Sequence, residues 1–413
     1  MSKITLTKKQ QRFEKMHKFG VDWINGTLPL SDVNEVFKTL ENIDSRLKKD
    51  RWVLASTGKY NYETRYMLDG EPAIQFMYNP LYDSSDNPLP VADMNNAQQN
   101  NGIFFTISGT GIRFLSLLGG EFSALHKLMF YFYSNGFRSS RFDVYCDILD
   151  KNNDVVPVMQ DCFQRFQICE LNKPSITTGF HRTEKNFKCI GPYIDDNGLQ
   201  YYNCQLGHHG SGKGMFRCYN KRMEQISQNP KFADQIFKEY GVKDYWYRLE
   251  YELHSDTASR AFNACCESCF VKNEDGSLDN CSHLSFRNIF YGAAESLFTL
   301  VTYFYYDKSN MSKNPLLPEW QEFLESVSQN PYFVYVGADV FKSVPYVRSL
   351  SRAEANYWRL AAMIFGCSYY LSFLPADQQD EFWEFGKNKF FNNPHYNKLR
   401  DDISEKFNLS EVS

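Results

Sequence analysis

No apolar run in the chain reaches the roughly 18 residues that a membrane-spanning helix needs. The first residues, MSKITLTKKQQRFEKMHK, have no apolar stretch of the signal-peptide kind. Together these predict a cytoplasmic protein with no membrane partner, whose eleven cysteines are reduced. Cys266 and Cys269, with Cys281 and His283, could in principle hold zinc. Their spacing matches no standard finger, so reduced helix cysteines are the commoner reading. Positive charge is short as well: the net charge is −4, which excludes nothing but announces no polyanion partner. Basic residues do collect locally. Residues 1–60 hold twelve Lys and Arg against seven Asp and Glu, and residues 171–222 hold eight against three. No internal repeat is visible.

Aromatics, at 16%, are abundant, and most are Phe or Tyr. Core filling explains most of them; stacking on unpaired bases is the functional alternative. Residues 201–225, YYNCQLGHHGSGKGMFRCYNKRMEQ, read as two strands joined by a glycine-rich turn. Gly207 to Lys213 matches the start of a phosphate-binding P-loop. The next residue should be Ser or Thr and is Gly214, and a strand pattern follows where a helix is required. The second strand, read as 215–221, alternates. Met215, Arg217, Tyr219 and Lys221 share one face, which sets a tyrosine hydroxyl between two cations. That is a nucleophile held where a phosphate could be gripped. An ordinary surface hairpin carrying a tyrosine is the bland alternative.

Two other stretches have the same character. SSRFDVYCDILD (139–150) places Arg141, Asp143, Tyr145 and Asp147 on one face of a strand. DYWYRLEYELH (244–254) does so with Arg248, Glu250 and Glu252. Buried strands carry acids and arginines in register only when these pair or bind something. If the strands are neighbours, Asp143, Asp147 and Glu250 can converge as hard oxygen ligands for Mg²⁺ or Mn²⁺. A salt-bridged sheet face, with Arg141 and Arg248 on the acids, fits the same pattern equally well.

Four motifs in order carry a family resemblance: FFTISGTGIRFL (104–115), SRFDVYCDILD (140–150), the glycine turn with MFRCYNKRMEQ (215–225), and WYRLEYELHS (246–255). The chain resembles the replication initiation factor (Rep_trans) family of rolling-circle plasmid and phage initiators and related relaxases. The Y-N-K strand is its most specific piece. His208 and His209 stand where the family has a basic turn. The resemblance implies a transesterase that nicks one DNA strand at an origin and rejoins it through a 5′-phosphotyrosine, with Tyr219 as the nucleophile. Arg217, Lys221 and Arg248 would stabilise phosphoryl charge, and Asp143, Glu250 and Asp147 would hold the metal. Lys213, Arg222 and Arg141 would contact DNA. Origin DNA, a host helicase and a second copy of the chain are the partners implied. A conjugative relaxase with the same chemistry and an origin-binding protein that does not cut remain alternatives. A histidine-metal nicking enzyme needs two histidines flanking one apolar residue, and none of the eight is so placed.

The expected fold is α+β: a largely antiparallel sheet with interleaved helices, then a C-terminal helical region. Three regions are expected: helices and strands over 1–100, a nicking-joining domain over 101–260, and helices over 261–413. Within these, the first 50 residues read as helical, with a second helix over 33–47. Further helices are expected over 112–135, 283–305, 351–373 and 378–391, with a capping box at Ser351 and Glu354.

Overall fold

The computed structural model describes residues 6–29, 33–56, 62–79, 102–172, 178–180, 187–195, 197–207, 214–272, 278–280, 284–302, 315–330, 333–341, 375–376, 378–380 and 383–384. In chain order the chain forms α1 (Lys8–Met16), β1 (His17–Leu28), α2 (Val33–Ile43), β2 (Trp52–Leu54), β3 (Thr64–Leu68), β4 (Ile74–Tyr78) and β5 (Ile103–Ser108). There follow α3 (Gly109–Leu117), α4 (Ala124–Ser134), β6 (Arg138–Ile148), α5 (Val155–Asn172), β7 (Thr178–Phe180), β8 (Phe187–Ile194), β9 (Gln200–Leu206) and β10 (Met215–Asn220). Next are α6 (Lys221–Gln228), α7 (Ala233–Tyr240), β11 (Tyr247–His254), α8 (Ser255–Glu267), β12 (Phe270–Lys272) and β13 (Leu278–Asn280). Last come α9 (Arg287–Ser296), β14 (Leu300–Thr302) and α10 (Pro318–Ser328).

Ten strands make one antiparallel sheet in the order β2-β3-β4-β5-β1-β6-β11-β10-β9-β8. The fold is α+β, as expected. Strands from both sides of residue 100 share this sheet, with β1 paired to β5 and β6. The chain divides into two compact units, 1–343 and 344–413. In the second, the N–H groups of Gln378 and Gln379 meet the Pro375 carbonyl at 3.1 Å and a short helical turn is described. The helix expected over 351–373 lies outside the described residues.

The central β1 corrects the helical reading of the N-terminus. Helix α1 ends at Met16, and a twelve-residue strand follows. Its Gly20 faces Tyr145, and a Cβ there would sit 2.4 Å from the tyrosine hydroxyl oxygen. Only glycine allows that approach. Two more readings change. The helix expected over 112–135 is α3 and α4, broken around Gly119, whose φ of +102° no helix tolerates. Of the apolar stretch over 283–305, the described residues form α9 and then β14.

One sheet face is apolar. On β6 it presents Phe142, Val144, Cys146 and Ile148, and on β11 Leu249, Tyr251 and Leu253. Phe262 of α8 packs edge-on against Phe142, and Phe290 of α9 does so against Tyr251. Burying a ring this size stabilises by about 1.5–3 kcal/mol. Many aromatics among the described residues serve this role: eight phenylalanines rank among the largest fully buried side chains. Where α1 meets β1, His17 stacks on Phe13 at 4.0 Å and binds its carbonyl at 3.0 Å. Burial lowers His17 to about 4, although the Phe13 carbonyl and Asp150 pull upward. The unfolded chain binds this proton near 6.5, so the stability His17 contributes is full above that value and is lost as pH falls toward 4. Between pH 7 and 4, His17→Phe is expected to lose less in urea midpoint than the wild type. Parallel pH profiles of the two proteins would show the assignment to be wrong.

Candidate active site

The opposite sheet face carries charge, and register sets its rows. Tyr219 of β10 pairs with Arg248 of β11, Arg248 with Asp147 of β6, and Asp147 with Lys18 of β1. The next row is Arg217, Glu250, Tyr145 and Gly20, and the one after is Met215, Glu252, Asp143 and Trp23. Strand alternation puts all of these side chains on one face. Asp143, Asp147, Glu250 and Glu252 are each 1% exposed or less. Such charges persist only when paired.

Around Tyr219 the pairing is specific. Its hydroxyl donates to Glu250 Oε2 at 2.8 Å, while Arg217 holds the other Glu250 oxygen. Arg217 Cζ lies 5.9 Å and Lys221 Nζ 5.5 Å from the tyrosine ring centroid. Burial raises the phenol well above its ordinary value and the Glu250 carboxylate adds to this, with Arg248 pulling the other way. Tyr219 is therefore held as a neutral phenol with a carboxylate positioned to take its proton. Lys221 is the first residue of α6 rather than the last of the strand. Asn220 ends β10 by capping the helix, accepting from the Met223 N–H at 3.0 Å. The first helical turn then pairs Lys221 with Glu224.

The acids sort into two groups. Arg248, 3% exposed, holds Asp147 through two bonds of 2.7 and 2.9 Å and Asp22 through one of 2.6 Å, over the face of Tyr145. Burial works to raise the Asp22 carboxyl, but Arg248 and Lys221 outweigh it and hold it below its ordinary value. Two rows away, Arg141 bridges Asp143 at 2.5 Å and Glu252 at 2.8 Å and stacks over Trp23. Arg217 reaches Glu252 at 3.5 Å, and His254 Nε2 lies 2.7 Å from Glu252. Three carboxylates there share two guanidiniums. Burial raises Asp143 well above its ordinary value; Arg141 opposes this, and Glu250 and Glu252 push it further up.

The predicted ligands Asp143, Asp147 and Glu250 do not converge. The register pairs Asp147 with Arg248, while Arg141 holds Asp143 and Arg217 holds Glu250. Among the described residues no group of three His, Cys, Asp or Glu is arranged to hold a metal ion. As they stand, the residues do not fit Mg²⁺ or Mn²⁺. Of the predicted DNA contacts, Arg222 packs over the Phe237 ring of α7, and Arg141 is engaged as above. Lys213 lies outside the described residues, as do Cys281 and His283 of the zinc arrangement; Cys266 and Cys269 are buried.

Sequence reasoning missed Asp22, because β1 was read as helix. A register shift in β1 between Val21 and Trp23 brings it to Arg248. It also passed over His254, two residues beyond Glu252 on the same strand face, a spacing that was there to be seen.

No family model matches the chain, and no curated protein matches it. Among solved structures, it is similar to a rolling circle replication initiator protein from Geobacillus stearothermophilus. The identity is 17% and the TM-score 0.49, over 78% of this chain and all of that one. Among the described residues no helix is long and apolar enough to cross a membrane.

Proposed function

We propose that the protein is a DNA strand transferase of the rolling-circle initiator kind, with Tyr219 as the nucleophile. One observation carries this reading: the phenol of Tyr219 is bonded at 2.8 Å to Glu250, between the cations of Arg217 and Lys221. In the proposed step the tyrosine oxygen attacks the scissile phosphorus in line and its proton passes to Glu250. The bond from phosphorus to the 3′-oxygen breaks, and that oxygen leaves as a 3′-OH after taking a proton from water. Arg217 and Lys221 stabilise charge on the phosphoryl oxygens. One phosphodiester is exchanged for another, so the strand rejoins by the reverse step without ATP.

The motif order of the Rep_trans resemblance supports the same reading, and origin DNA is its substrate. The test uses a supercoiled plasmid carrying the protein's own gene, then an oligonucleotide of the nick site labelled downstream of the break. Nicked circles and label retained on denatured protein are the expected results. Stable origin binding with no nicked product would instead support a non-cleaving initiator.

A further inference from the structure

Beside the tyrosine lies a cleft of about 900 Å³, a size that buries nucleotide-scale ligands. Helix α3 forms one wall and α6 with α7 the other; β1 and Arg248 lie at the floor. Lys221, Glu224, Asp22 and Arg248 line it; of these, Lys221 Nζ lies 5.5 Å from the Tyr219 ring centroid and Arg248 is the cross-strand partner of Tyr219. Its charges are spent on one another. Arg113 pairs with Glu239 from wall to wall, Lys221 with Glu224, and Arg248 with Asp22. Lys221 stands at the Tyr219 end; with three cations balanced by three acids, the rest of the cleft offers little to a further phosphate.

What the cleft does offer suits a base. Trp246 lines it, is 2% exposed, and its indole N–H has no hydrogen-bond partner. A buried donor left unpaired is costly, and a ligand acceptor would recover that cost. Tyr240 stacks on Trp246 at 4.9 Å and carries the Lys18 ammonium over its ring, so the open aromatic face at the lining is that of Phe232, 61% exposed. The amides of Gln225 and Asn229 line the same wall. Aromatic faces with amide groups are the means by which unstacked bases are held and read.

We propose that this cleft takes one unpaired nucleobase of the DNA strand, next to the phosphate that Tyr219 attacks. The placement beside the reacting phosphate rests on the reading of Tyr219 given above; the capture of a base does not.

Two single-stranded 12-mers test this with the full chain: one of mixed sequence carrying 4-thiothymidine, and one abasic throughout. The wild type is expected to bind the base-bearing strand at least about tenfold more tightly than the abasic one at equal salt. Photo-crosslinks are expected on peptides from 109–117 and 221–246. Trp246→Phe keeps a ring for packing and is expected to lose most of the preference while binding the abasic strand as before. Equal binding of the two strands by the wild type, or crosslinks confined to other peptides, would overturn the proposal. The crosslink map needs no variant, so a misfolded Trp246→Phe cannot shelter it. Neither readout involves cleavage. Crosslinks in the cleft without nicking would remove only the strand-transfer reading, and nicking with crosslinks elsewhere only the base pocket.

Discussion

Tyr219→Phe is expected to bind single-stranded DNA as the wild type does and to nick at least ~10⁴-fold more slowly. The variant removes one oxygen. The ring keeps its place beside Arg217 and Lys221. The lost bond to the charged Glu250 costs about 1.5–3 kcal/mol, and that carboxylate keeps its pairing with Arg217. A loss of nicking with unchanged binding, and a melt lowered by no more than the loss of that one bond, therefore isolates the nucleophile. Three tyrosines on nearby strands could compete: Tyr145 on β6, and Tyr201 and Tyr202 on β9. Tyr145 is 8% exposed, shares its hydroxyl with Tyr240 at 3.0 Å, and lies under Arg248. Peptide mapping of the covalent adduct is expected to find the fragment containing Tyr219. Full nicking by the Phe variant, or label on any of these three, would end the assignment.

Arg248→Met is expected to destabilise the chain by about 3–5 kcal/mol, because it strands buried charge. Asp147 is 0% exposed and loses both of its bonds to the guanidinium; Asp22 loses one. Methionine fills much of the space over the Tyr145 ring but brings no counter-charge. The double variant Arg248→Met with Asp147→Leu removes both members of the buried pair and is expected to recover a large part of the loss. Urea melts of the three proteins decide the matter. A single variant within about 1 kcal/mol of wild type would mean that Asp147 is neutralised by other groups, Lys18 being the nearest in register. The outcome also bears on role. The donors of Arg248 used here face Asp147 and Asp22, which makes it a support for the site's floor.

The charged face was legible in the sequence. Alternation of Arg217 with Tyr219, of Asp143 with Tyr145, and of Glu250 with Glu252 fixes which side chains share a side of each strand, because the strand period of two is local. The α+β class follows from equally local signals. What stayed hidden was non-local. β1 is a central strand, yet its Gly20 and Gly26 weaken the strand signal, and they are there because Tyr145 and the Arg138 carbonyl approach too closely for a Cβ. Partner choice was hidden too. Alternation puts Asp143, Asp147 and Glu250 on one side, but only the register of β6 against β11 says who meets whom. It gave Asp147 to Arg248 and left Asp143, Glu250 and Glu252 to share Arg141 and Arg217. By itself the sequence determined the chemistry available on each strand, since that depends on residue type and a two-residue repeat. The tertiary structure alone decided that the tyrosine meets a carboxylate and that Asp22 joins the floor. Both contacts depend on how strands distant in sequence are paired, and no local pattern encodes that pairing.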